Sequence, residues 1–417
     1  MKKNGFTLVE LLSIVVILGI IVVVALPQIS GSIGSKKEKQ YNKIVKIVEN
    51  AGKVYLTENG TMDSVSIDKL IESDYLTSGL KNPINNTPLT GCVKKITSDG
   101  LTKYKYEVDN CPNYLTTYIM DLYDNEETRT SNGLKKDNTP DQNIRYYGAN
   151  PNNYVRFNNE LWRIIGVFEN NVKLIRKDSL GNLVWDTSES SVNHGWGVNE
   201  WSQSALKNYL NTMYYGGTSV TCYNGENNQT TTCPKDRNGN FLTMDETSKE
   251  LIDYHTWNTG APNSSTLYNS TTKSYDTVEF YKAERGTVNG KICTGGGYCN
   301  DTVTRTTSWT GYIGLSYITD YAYASSENDC NTKIDQSSTY KCKKNNWMFK
   351  PTKAYWKLSP KDSSYQASGV WVVNGDGNAG GGGTSDARTV FPAIYLKSNV
   401  LKLEGTGTST DPYELSL

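Results

Sequence analysis

Hydrophobic positions are densest near the front of the chain. From Leu11 to Leu26, thirteen of sixteen residues are Leu, Ile or Val. At roughly 0.3 to 0.6 kcal/mol each, their insertion into a bilayer gains about 4 to 8 kcal/mol, against at most about 3 for the lone carboxylate of Glu10. The pattern predicts a transmembrane helix over residues 6–27, with Lys2 and Lys3 holding a short leader, residues 1–5, on the cytoplasmic side. Pro27 lacks an amide donor and clashes one turn back, so a kink is expected there. The pattern then turns amphipathic. Tyr41, Ile44, Val45, Val48, Ala51 and Tyr55 recur at three- and four-residue steps among Lys36, Lys37, Glu38, Lys39 and Lys43. Residues 6–56 are therefore expected to form one spine helix, amphipathic over 35–56, which from Phe6 to Tyr55 would span about 75 Å.

After residue 56 the pattern shortens to strands and turns. Residues 57–113 read as a small head, with a short helix over Val65–Ile71, a turn-rich stretch from Asn82 to Leu89 and strands around Val93–Ile96 and Tyr104–Val108. Residues 114–145 are polar and rich in turn formers, and read as a linker. Residues 146–417 form a larger domain. There Tyr154–Phe157 and Leu161–Phe168 flank the hairpin turn Asn158-Asn159, and Val172–Arg176 follows a second turn. Helices are expected near Ser202–Leu210, Ser248–Tyr254 and Val278–Arg285, and strands at Trp356–Pro360, Val370–Val373 and Val390–Lys397. The expected class is α+β: a long N-terminal transmembrane spine helix with a small head, then a mixed domain rich in antiparallel strands and loops.

The residues before the apolar run carry a motif. Basic Lys2 and Lys3 lead to Gly5, Phe6 follows directly, and Glu10 stands alone before the hydrophobic stretch. This resembles the N-terminal signal of type IV pilins and pseudopilins. The resemblance implies cleavage after Gly5 by a prepilin peptidase and N-methylation of Phe6. It also implies that Glu10 pairs with the amino terminus of a neighbouring subunit during assembly, and that Pro27 matches the kink of the pilin helix. The implied partners are other pilin subunits, the peptidase and the membrane. The implied location is the cell membrane before assembly and a surface filament afterwards. The alternatives are a secretory signal, cut after Ala25 or Ser32, and a plain anchor; neither accounts for the spacing of Gly5, Phe6 and Glu10. The 57–113 segment is similar in layout to small pilin heads.

Composition agrees with export. Lys and Arg together number 43, as do Asp and Glu, and no nucleic-acid motif is present, so no nucleic-acid partner is expected. Eight cysteines form sequence-local couples: Cys92 with Cys111, Cys222 with Cys233, Cys293 with Cys299, and Cys330 with Cys342. Without a CxxC pair, and with only His194 and His255, a zinc site is not expected. Four disulfides are the natural reading outside the cytoplasm, with free buried thiols as the alternative.

Catalytic signatures are missing: the sequence has no Gly-x-Ser-x-Gly elbow, HExxH or P-loop. No cofactor, metal or enzymatic role is expected. His194 and His255 lie among Trp and Tyr residues, where a hydrogen-bonded aromatic cluster is the expected setting. The segments LWRIIGVF (Leu161–Phe168), Asn199-Glu200-Trp201-Ser202 and FPAIYLK (Phe391–Lys397) resemble a surface module of Gram-positive gut bacteria, and more loosely C-type-lectin-like domains. That looser resemblance implies a ligand surface at the glycine-rich loop Asn374–Ala387, with Trp371, Asn374, Asp376, Asn378 and Asp386 as candidate contacts and the Trp or Tyr side chains around Trp196 and Trp201 beside them. Trp371 in the core and a passive loop is the alternative. The expected function is a minor or tip pilin-like subunit presenting a domain for an extracellular glycan or protein. The alternatives are a pseudopilin of a secretion or DNA-uptake machine, and an anchored enzyme acting on glycans.

Overall fold

A computed structural model describes residues 33–58, 63–98, 100–109, 111–187, 196–260, 268–269, 274–286, 303, 305–334, 339–361 and 368–417. The chain divides into two compact units, Met1–Asn113 and Tyr114–Leu417.

In the first unit α1 spans Ile33–Glu58. It is followed by β1 (Ser64–Ser66), α2 (Ile67–Glu72), β2 (Cys92–Ser98) and β3 (Leu101–Glu107), and the three strands form an antiparallel sheet in that order. The expected architecture, built on a long transmembrane spine, is corrected. Among the described residues no helix is long and apolar enough to cross a membrane. The reason lies in α1 itself, where lysines and glutamates interrupt the apolar residues and leave one buried stripe of Ile44, Val48, Ala51, Tyr55 and Leu56. That stripe packs on Val65, Val93 and Tyr106. The segment 6–27, with Pro27, lies outside the described residues. Ser66 starts α2 by accepting the Lys69 N–H at 3.1 Å, and Cys92 bonds Cys111.

The second unit begins with α3 (Leu115–Asp124) and α4 (Glu126–Asn132), then β4 (Leu134–Lys136) and β5 (Ile144–Tyr146). Residues 114–145 are therefore not a linker. Asn125 Oδ1 caps α4 by accepting from Glu127 N–H and Thr128 N–H, and Gly133, at φ 67°, ends it. Leu115, Ile119, Leu134 and Ile144 are spaced apolar anchors, all buried in the core of this unit.

Next come β6 (Tyr154–Phe157), β7 (Glu160–Phe168), β8 (Asn171–Arg176), β9 (Asn182–Leu183) and α5 (Ala205–Asn208). A hairpin of β10 (Cys222–Gly225) and β11 (Gln229–Thr231) precedes α6 (Glu246–Leu251) and β12 (His255–Asn258). Then follow β13 (Tyr268–Asn269), β14 (Ser274–Tyr275), α7 (Thr277–Arg285), β15 (Ser308–Gly311), β16 (Ile313–Leu315) and α8 (Ile318–Tyr323). The remainder holds α9 (Asn328–Thr332), α10 (Tyr340–Lys344), β17 (Tyr355–Pro360), β18 (Gly369–Val373) and β19 (Ala379–Gly383). Last are β20 (Arg388–Thr389), β21 (Pro392–Tyr395), β22 (Leu401–Lys402) and β23 (Leu415–Ser416).

Two sheets organise this unit. One runs β16-β21-β8-β7-β5-β4, with β6 also on β7; the other runs β19-β18-β17-β20-β9. Pairing is antiparallel except where β17 meets β20. The β6–β7 turn is made by Asn158 and Asn159, both at φ 55°, the left-handed geometry that a two-residue hairpin demands. A register shift in β7 between Ile164 and Gly166 brings the latter against β5, where a Cβ would fall 2.2 Å from the Ile144 carbonyl oxygen. Only glycine fits there. Trp162, Trp185, Trp257, Trp356 and Trp371 are among the largest buried side chains.

Candidate functional site

Gly5, Phe6 and Glu10, like Cys293, Cys299 and His194, lie outside the described residues. The other six cysteines form disulfides: Cys92–Cys111, Cys222–Cys233 and Cys330–Cys342.

The recognition surface expected around Trp371 is corrected. Trp371 is only 2% exposed. It lies edge-to-face with Phe280, ring centres 4.8 Å apart, and Tyr275 packs on it too. Trp201 is buried as well, between Trp185 and Trp309. The segment Asn374–Ala387 is not one loop, because its glycines build β19, paired along its whole length with β18. Asn374 accepts from Gly377 N–H through its carbonyl, and Asp376 Oδ1 accepts from Asn378 N–H at 2.9 Å, which closes the hairpin turn. Asp386 accepts from Gly383 N–H and pairs with Arg388 at 2.8 Å. Asp376 and Asp386 are exposed, while Asn374 and Asn378 are half-buried.

Elsewhere the exposed Tyr254 and the half-buried Tyr215 and Tyr312 form a tyrosine cluster. After α5 the helix passes into a π-helical stretch, Tyr209–Tyr215. Tyr215, near its end, stacks on Tyr312 with centres 4.0 Å apart and planes at 13°. Tyr254, 60% exposed, leans on Tyr312 at 4.8 Å. Beside it His255 stacks on Tyr395 at 3.7 Å, and its Nδ1 lies 2.9 Å from Asp253 Oδ2. Such a surface offers ring faces next to a carboxylate and an imidazole, a combination suited to sugar rings or to a flat polar partner. Its members come from three separated stretches, so no local pattern in the sequence marks them.

A second feature is a small recess, with a cavity volume of about 10 Å³, lined by Arg163, Arg176, Lys350, Trp347, Met348 and Phe391, among others. Arg163 lies between the rings of Tyr154 and Trp347, 4.3 and 4.5 Å from their centres, and its Nε donates to Asn153 Oδ1 at 2.8 Å. Arg176 is matched by Glu160. Burial, and then the Arg163 charge, push the Lys350 amine down to about 8. The walls are rings and the side chains of Arg163, Arg176 and Lys350.

Charge is also concentrated inside. Arg145 of β5 donates through Nε to Asp137 and through Nη1 to Asp320, both at 2.7 Å. Lys173 of β8 reaches the other Asp320 oxygen at 2.7 Å. The Arg145, Lys173 and Asp320 side chains are at most 1% exposed. Glu284 of α7 accepts from Thr319 N–H and Thr319 Oγ1, and burial pushes its carboxyl up to about 7. These partners are up to 175 residues apart, and sequence reading gave none of them a role.

Residues 1–26 match the prokaryotic N-terminal methylation motif. No curated protein and no solved structure matches the chain. The motif supports a type IV pilin-like or pseudopilin protein, with a membrane-anchored precursor and a prepilin peptidase and other pilin subunits as partners.

Proposed function

We propose that this chain is a minor or tip subunit of a cell-surface filament that presents the unit Tyr114–Leu417 to an extracellular ligand. The observation that carries the reading is the methylation motif at residues 1–26. Bulk supports the rest: a unit of more than three hundred residues is hard to repeat at every step of a packed filament. No cofactor and no catalytic step belong to this reading. The ligand surface is the cluster of Tyr215, Tyr254 and Tyr312 with Asp253 and His255, and the ligand class is a glycan whose sugar rings stack on the tyrosines. Replacing Tyr254 and Tyr312 together by Ala tests it through binding of the purified protein to immobilised glycans. Binding falls at least tenfold while secretion and the circular dichroism spectrum are kept. Undiminished binding by a folded variant places the ligand elsewhere.

A further inference from the structure

Among the described residues of the second unit two lysines are buried, and one of them meets a carboxyl group. Lys357 donates to the Ser316 hydroxyl at 2.7 Å. Lys173 Nζ instead lies 2.7 Å from Asp320 Oδ2, with both side chains fully enclosed. Four rings surround the ammonium: Tyr317 at 4.1 Å, Tyr395 at 5.2 Å, and Phe168 and Trp257 each at 5.4 Å. Arg145 donates to Oδ1 at 2.7 Å, and the Tyr317 N–H donates to Oδ2 at 2.9 Å.

We propose that Lys173 and Asp320 are joined by an intramolecular amide bond, which staples β8 to α8. The reaction needs no outside reagent. A proton passes within the ion pair from Nζ to the carboxylate, leaving a neutral amine and a neutral acid. The nitrogen lone pair attacks Cγ, and negative charge develops on the oxygen, where Arg145 is already aimed. The C–O bond then breaks, and the departing oxygen takes the acid proton and one proton from nitrogen, leaving as water. Whichever oxygen stays keeps a donor, Arg145 at one position and Tyr317 N–H at the other.

Energetics favour the product in this setting. Each buried ion carries a desolvation cost, and the amide removes two of them. Charge stays balanced, because Arg145 keeps Asp137 at 2.7 Å. Burial pushes the Lys173 amine down to about 8, against the pull of Asp320. The Asp320 carboxyl, despite its burial, is held below the ordinary carboxylate range by Lys173 and Arg145, so the proton transfer is the uphill step of the reaction. The enclosing rings keep out the water that hydrolysis would require. The staple closes a stretch of 147 residues and limits how far the unit extends under tension.

The test is the mass of the full mature chain with its disulfides reduced and capped. The wild type is lighter than its sequence by one water, and a tryptic digest yields a peptide pair joined through Lys173 and Asp320. Lys173→Arg restores the full mass. Asp320→Ala likewise keeps the full mass of its own sequence. A wild type of full mass, whose Lys173 reacts with an amine reagent in denaturant, overturns the proposal without recourse to any variant. Leader cleavage and methylation change the mass by other amounts, so failure of the pilin reading is read separately.

Discussion

Lys357 takes an amine into the core, near the rings of Tyr355 and Tyr321. Burial pushes its pKa from the ordinary 10.5 down to about 7. Between those values the unfolded chain holds the proton and the folded chain does not, so this residue's contribution to stability rises with pH across that window. At pH 6 the folded state has to keep a charge in a dry site, at a cost on the order of a few kcal/mol. Lys357→Met removes this dependence. The stability of wild type minus that of the variant, from urea unfolding, is expected to rise steadily from pH 7 to pH 10. A difference that stays flat over that range contradicts the assignment. The same single-residue logic explains why Trp371 was hard to place from sequence. A tryptophan beside a glycine-rich run fits a binding rim as well as a core, and it is Phe280, almost a hundred positions earlier, that decides for the core.

At the scale of elements, the glycines of β19 have a packing reason. A Cβ on Gly382 would lie 3.1 Å from Trp356 Cζ3 and 2.6 Å from Arg388 Nε. The bare backbone thus lets β17 and β20 side chains lie across the sheet. Gly382→Val is expected to lower stability by about 1–3 kcal/mol through overpacking, read by thermal unfolding; an unchanged midpoint would show that β19 is not held against Trp356. Sequence patterns reported the β6–β7–β8 meander well, because Asn158-Asn159 and the Asn170-Asn171 pair interrupt otherwise apolar strands. They failed for β19, since glycine is a poor strand former and only its partner β18 makes it one. They also failed for residues 114–145, where four apolar anchors among many polar residues suffice for burial. The buried ion pairs and the tyrosine cluster were illegible for a common reason: their members meet only after the chain has folded.

For the whole molecule, the decisive region is the one the sequence described most fully, Met1 to Leu26, which carries the methylation motif. Everything proposed about filament assembly and display depends on how that end is processed. The measurement that tests this most directly is mass spectrometry of the amino-terminal peptide of the protein recovered from cell membranes and sheared surface material. The account predicts a chain that begins at Phe6 with a methylated amine, and a Gly5 variant with a bulky side chain that keeps residues 1–5 attached. A mature chain beginning after Ala25 or after Ser32 would contradict it.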